Sequence, residues 1–241
     1  MPTIKFDHVG AVYSGRRVLG PLTLHLSEKR IGIIGENGGG KSSLVRLING
    51  LSQATEGTVS YDGINVAKHA KEVRRKVGFI FTDADNQIVM PTVAEDIEFS
   101  LRRHKLSREV RRARVEQVLE RFGLEKHADD SPHLLSGGQK QLLALASVLV
   151  LEPATIIADE PTTLLDLRNR IKIRHTLEQL EQQLIVVTHD LDFISDFDRV
   201  LRISQGTIVD DGSPDAVIAR YRADMLRIAE GFAGSGEIDL P

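Results

Sequence analysis

The chain of 241 residues contains no cysteine and no tryptophan, and its aromatic content is only 5%. Without thiols it can form no disulfide and no thiolate metal or redox site, a composition that suits a reducing compartment. Long apolar runs are missing as well, and none approaches the roughly 20 residues a helix needs to cross a bilayer. The N-terminus MPTIKFDHVG has no apolar core of the signal-peptide kind. Nor does one sign of charge dominate: Lys+Arg 31 against Asp+Glu 34 gives a net charge of −3, so no nucleic-acid partner is expected. The one basic cluster, RRHKLSREVRRAR at residues 102–114, reads as the solvated face of a helix. A soluble protein is expected, one that would serve a membrane only from outside the lipid. The length suffices for one large domain with a sizeable core.

What is present is an alternation of short apolar runs with segments of helical period. RIGIIG (30–35), VGFIF (77–81), ATIIAD (154–159) and LIVVTH (184–189) are apolar almost throughout, as strands of a parallel sheet covered on both faces must be. TIKFDHVGAVY (3–13), PLTLHLSE (21–28) and GTVSYDG (57–63) alternate better and predict a smaller antiparallel sheet. RVLRISQGTIVDDG (199–212) reads as a hairpin turning at Gln205 and Gly206. Strands stop between Val93 and Val150, where SREVRRARVEQVLERFGL offers a Ser107 cap and a stripe of Val115, Val118, Leu119 and Phe122. The expected architecture is one α/β domain over residues 1–241. Its core spans about 1–82 and 151–220, a helical insert about 83–150, and a flexible glycine-rich tail 221–241.

Residues 35–43, GENGGGKSS, match G-x-x-x-x-G-K-[ST] between a strand and a helix, the context that gives this pattern its force. Gly35, Glu36, Asn37, Gly38, Gly39 and Gly40 would curl their N–H groups around a phosphate. Lys41 would add a point charge at the β- and γ-phosphates, Ser42 a hydroxyl for Mg²⁺, and Ser43 the start of the helix. Asp159 ends a buried strand on the sheet edge where α/β proteins bind ligands, placed to hold Mg²⁺ through water. Glu160 follows, and Pro161 predicts an extended backbone for it that aims the carboxylate at the γ-phosphate and an attacking water. His189 ends another buried strand and is a candidate for the same corner. A second glycine pair, in LLSGGQ, opens an apolar helix and offers a second anion site.

In their order, LLSGGQ, IIADEP, TTLLD and VVTHD resemble the ATP-binding-cassette family over roughly residues 3–220. The resemblance implies a P-loop NTPase of RecA-like parallel core, with an antiparallel β subdomain and an inserted α-helical signature subdomain, that binds ATP and Mg²⁺. It gives residues 35–43 the role of the Walker A loop, and Leu135, Ser136, Gly137, Gly138 and Gln139 that of the signature. Asp159 and Glu160 take the places of the Walker B aspartate and the catalytic glutamate. Leu165 and Asp166 fall in the D-loop and His189 at the switch histidine, while Tyr13 occupies the place of the aromatic that stacks on adenine. Two chains are then expected to pack head to tail as a homodimer, the signature of one covering the γ-phosphate held by the other. Thr82 stands where the family usually has glutamine; its hydroxyl could still reach Mg²⁺ or water, and Gln87 is a substitute candidate.

The segment FTDADNQIVMPTVAEDIEFSLRR resembles that of energy-coupling-factor transporters, whose ATPases receive a coupling helix from an integral membrane scaffold protein. A separate substrate-binding membrane protein selects the cargo, and the ATPase sits at the cytoplasmic face of the membrane. FTDADNQIVMPTVAEDI and PTTLLDLRN are most similar to ATPases of biotin transporters. A cobalt or nickel importer ATPase, a soluble ATPase of DNA repair or translation, and a nucleotide-binding regulator without turnover are the other readings.

Overall fold

A computed structural model describes residues 1–102 and 104–235, with side chains to residue 230. The first sheet is antiparallel, in the order β2 (Arg16–Leu26), β1 (Ile4–Tyr13), β4 (Glu56–Tyr61) and β5 (Ile64–Asn65). The second has the order β10 (Thr207–Gly212), β9 (Arg199–Ser204), β3 (Arg30–Ile34), β8 (Gln183–Val187), β7 (Thr155–Asp159) and β6 (Val77–Ile80). Its strands run parallel except for β10, which returns against β9 through the expected hairpin.

Successive side chains of these parallel strands enter two different cores, which is why their sequences do not alternate between apolar and polar. Ile34, Ile156, Ala158, Leu184 and Val186 face a core built with α3 (Val93–Leu101), α4 (Arg108–Phe122) and α5 (Gly137–Leu149). Ile31, Ile33, Ile157, Ile185 and Val187 face the antiparallel sheet and α1 (Lys41–Ile48). Among the described residues no strand falls between β6 and β7, so that stretch is helical as expected. Ser107 caps α4 by accepting from Val110 N, and Val115, Leu119 and Phe122 are buried on its inner face, with Val118 packed beside them.

Three helices lie outside the expectations: α2 (Val66–Val73), α6 (Leu167–Glu178) and α7 (Pro214–Ser235). The last corrects the flexible tail expected from residue 221. Val217, Ile218 and Tyr221 form one helical stripe against the core, and Arg202 of β9 pairs with Asp224 and stacks on Tyr221. Residues 236–241 lie outside the described residues.

The end of α6 shows how one half-buried side chain closes a helix. Arg30 donates to the carbonyl of Glu178 at the end of α6 (3.3 Å), an acceptor the helix cannot pair itself, and to those of Leu180 and Gln182 (2.7 Å) in the segment that follows. Burial presses the Arg30 pKa down, while Asp198 and Asp196 oppose the shift. Arg30→Ala is expected to lower stability by about 2–3 kcal/mol, because those carbonyls lose a charged donor. Urea denaturation at constant m-value measures it.

Candidate functional site

The turn between β3 and α1 forms the floor of a cavity of about 610 Å³ at the end of the parallel sheet. Gly35 has φ +141°, and a Cβ there would lie 1.9 Å from the Ile203 carbonyl oxygen, so no other residue fits. Gly40 has φ +105° and precedes α1 with no capping side chain and no acid in the first turn. The leading N–H groups of α1 therefore have no side-chain acceptor competing for them. The β9–β10 turn closes over this loop: Gly206 N donates to Gly39 O at 2.9 Å, and Gln205 and Gly206 line the cavity. In the sequence that pair had been legible only as a hairpin turn.

Lys41 is 6% exposed, and its ammonium donates to Gly35 O at 2.8 Å and Glu36 O at 2.9 Å. Burial lowers its pKa, and the nearby Glu160, Asp159 and Glu36 carboxylates work against that shift. Ser42 Oγ donates to Asp159 Oδ1 at 2.9 Å. Asp159 is 1% exposed at the end of β7, with Arg46 Nη2 3.5 Å from Oδ2. Burial raises the Asp159 pKa, opposed by Ser42, Arg46 and Lys41. Two hard oxygen donors side by side are the kind of pair a magnesium ion takes.

Glu160 departs from the extended backbone expected before Pro161, since its φ is +53°. Its N–H is fixed to Val187 O of β8 at 2.9 Å, and Thr163 Oγ1 donates to Oε2 at 2.9 Å. Those two anchors hold a strained conformation of the sort that clusters at functional sites. They leave Glu160 Oε1 buried without a hydrogen bond, 3.2 Å from His189 Nε2. His189 Nε2 also lies 2.9 Å from Asn37 Oδ1 and 3.4 Å from Lys41 Nζ. Residues 37, 41, 160 and 189 thus meet at the edge of the cavity, where His189 faces in from the adjoining cleft.

Other candidates stand elsewhere. Thr82 Oγ1 donates to the backbone carbonyl of Asp159 at 2.8 Å, so its hydroxyl proton is committed beside the Ser42–Asp159 pair. Gln87 does not replace the missing glutamine: Nε2 donates to Ala144 O at 3.1 Å and Oε1 accepts from Phe81 N at 3.4 Å. It ties the loop to α5 and faces a separate apolar cleft. Tyr13 is likewise not on the cavity wall; its hydroxyl donates to Gln53 O at 3.2 Å, and Arg16, Arg17 and Val18 line the cavity there.

The second glycine pair starts α5, and it differs from the first. Ser136 and Gln139 form a capping box, and Gln139 Nε2 is 3.0 Å from His127 Nε2. Ser136 and Gly137 are exposed, Leu135 is buried beneath them, and none of residues 135–139 lines the cavity. A Cβ on Gly138 would lie 2.2 Å from Asn169 of α6, so glycine permits α5 and α6 to touch. Leu165 packs near Gly137, and Asp166 caps α6 by accepting from Asn169 N at 2.8 Å.

The ABC transporter family model matches residues 19–163. The chain is 47% identical over 219 residues to the biotin transport ATP-binding protein BioM of Rhizobium etli, covering 91% of this chain and 97% of that one. It is 38% identical over 225 residues to the energy-coupling factor transporter ATP-binding protein EcfA1 of Ligilactobacillus salivarius, covering 90% and 80%. The structure of cbiO1 from Clostridium perfringens, part of the ABC transporter complex cbiONQ, superposes with a TM-score of 0.80 at 32% identity, over 94% of this chain and 96% of that one. Tied to the phosphate loop, the acidic strand end and the glycine-led helix described above, these likenesses establish that the chain belongs to the ABC transporter family of ATPases, in its energy-coupling-factor branch.

Proposed function

We propose that two copies of this chain clasp ATP between them and that hydrolysis drives import of biotin through membrane partners. The observation that carries this reading is the split between the two anion sites. One is the open start of α1 inside the cavity; the other is the start of α5, exposed and outside it. A head-to-tail pair would bring Ser136 and Gly137 of the second copy over the γ-phosphate, so that two helix N-termini share one anion. Exposed Leu134 (78%), Leu164 (68%) and Leu167 (69%), which flank the signature and the D-loop, would be covered by the same packing.

Within this arrangement Ser42 and Asp159 would hold Mg²⁺, which neutralises phosphate charge when bound. Lys41 and His189 orient the γ-phosphate. The Glu160 carboxylate, whose Oε1 makes no hydrogen bond and lies 3.2 Å from His189 Nε2, accepts a proton from the attacking water as its oxygen bonds to the γ-phosphorus. The bond from that phosphorus to the β–γ bridging oxygen breaks, leaving ADP and orthophosphate. Loss of the shared γ-phosphate removes the contact that only the closed dimer makes, and the pair opens.

An integral membrane scaffold protein would seat a helix in the apolar cleft of about 310 Å³ lined by Leu51, Phe79, Phe81, Val89 and Phe99. Asp96 joins that cleft to the signature helix: Oδ1 accepts from Val89 N and Met90 N, and Oδ2 from Ser147 Oγ of α5. Motion of the scaffold is thereby passed to Ser136. Biotin as cargo rests on the 47% identity to a biotin transport ATPase, and labelled-biotin uptake by cells carrying this chain with its membrane partners tests it.

Mixing two inactive variants tests the shared site. Lys41→Ala removes one half, and Gly137→Asp puts a repelling charge on the other, at a position where a side chain has room. A mixed dimer keeps one intact site, so turnover should return on mixing. Mixtures as inert as their components would show that a single chain holds all the required groups.

A further inference from the structure

One cation in the cavity is left unused by the scheme above. Arg16 opens β2 directly after the Ser14–Gly15 turn and stands across the hairpin from Tyr13. It lines the cavity. Its neighbour Arg17 is held by Glu56 at 3.0 and 3.4 Å, whereas among the described residues no carboxylate pairs with Arg16. An exposed guanidinium on a cavity wall, free of an anion of its own, is a site for one.

The backbone locates where along the cavity it acts. Val18, two residues on, runs against the end of the phosphate loop: a Cβ on Gly40 would lie 2.8 Å from Val18 O. The same stretch meets the β9–β10 turn, where Gly20 N donates to Gly206 O at 2.8 Å. Asn37, Lys41, Glu160 and His189 form a separate group, joined by their own short contacts, and among the described residues Arg16 shares no hydrogen bond or ion pair with them. The γ-phosphate belongs with that group. Arg16 therefore serves the opposite end of the same ligand.

We propose that Arg16 binds the α-phosphate, the phosphate common to ATP, ADP and AMP; this rests on reading the cavity as a nucleoside triphosphate site. A guanidinium fork matches two phosphate oxygens at once, which an ammonium cannot do. Because the side chain hangs from an exposed hairpin, water and salt screen the contact, and its contribution is uniform across nucleotides.

Nucleotide titration of purified protein tests this. For Arg16→Ala the Kd of ATP and of ADP should rise by the same factor, about five- to tenfold, the size of one screened charge-assisted contact. The loss should appear in KM rather than in kcat. Arg16→Lys should recover part of it, and the gap from wild type should shrink in high salt. Unchanged affinity for both nucleotides would overturn the assignment, and so would a loss confined to ATP, which would move Arg16 to the γ-phosphate end. A lowered Tm at unchanged affinity would reduce it to a hairpin residue and also overturn it. Lys41→Ala run beside it separates the two levels. If that variant binds ATP normally, the cavity reading fails; if it loses ATP while Arg16→Ala matches wild type, only the Arg16 inference fails.

Discussion

Glu160→Gln should lower the rate of ATP hydrolysis by about 10²- to 10⁴-fold, the range a positioned general base contributes, while ATP binding persists. The amide keeps the shape of the carboxylate, and its oxygen can still accept the Thr163 hydroxyl that now bonds Oε2. What disappears is the capacity of the buried, otherwise unpartnered Oε1 to take a proton. With the γ-phosphate intact the shared contact persists, so the variant should accumulate as an ATP-bound dimer. Phosphate release and light scattering in ATP and Mg²⁺ read the two effects separately. A variant that hydrolyses normally would remove Glu160 from the chemistry; one that stays monomeric with ATP would break the two-chain clasp.

Lys41→Ala should weaken ATP binding by about 10²- to 10⁴-fold, since it deletes the charged donor to two phosphates, each contact worth about 1.5–3 kcal/mol. The ammonium is nearly enclosed by the loop whose carbonyls it now bonds. A planar guanidinium has no room there, so Lys41→Arg is expected to fail almost as badly. Isothermal titration of both variants measures this. If arginine restored binding, the charge alone would matter and the compact geometry of the loop would not.

The parallel strands and the phosphate loop were legible because local rules fix them. A doubly covered strand must be apolar throughout, and a loop with Gly35 and Gly40 at positive φ must be glycine there. Candidates whose partners are remote in sequence could not be read that way. Gln87 finds Ala144 across the insert, and Tyr13 finds Gln53; neither spacing leaves a pattern. The same holds for α7, which is held by the short stripe of Val217, Ile218 and Tyr221 against the core and by Arg202 of β9 stacking on Tyr221, rather than by any long apolar run. Glu160 is instructive in the other direction. The preference of a residue before proline was overruled by a bond from its own N–H to Val187.

The amino-acid order by itself determined which groups gather at one edge of the sheet: Asp159, Glu160 and His189 end or directly follow strands, the glycine loop leads from β3 to Lys41 and Ser42 at the start of α1, and a parallel sheet gathers its strand ends on one edge. Only the tertiary structure decided how they divide the work. It turned Glu160 toward His189, committed Thr82 and Gln87 to backbone partners, put Arg16 on the cavity wall, and left the start of α5 facing outward. Spacing along the chain specifies which side chains share an edge, but the direction each one points is set by the hydrogen bonds it makes with segments far away in sequence.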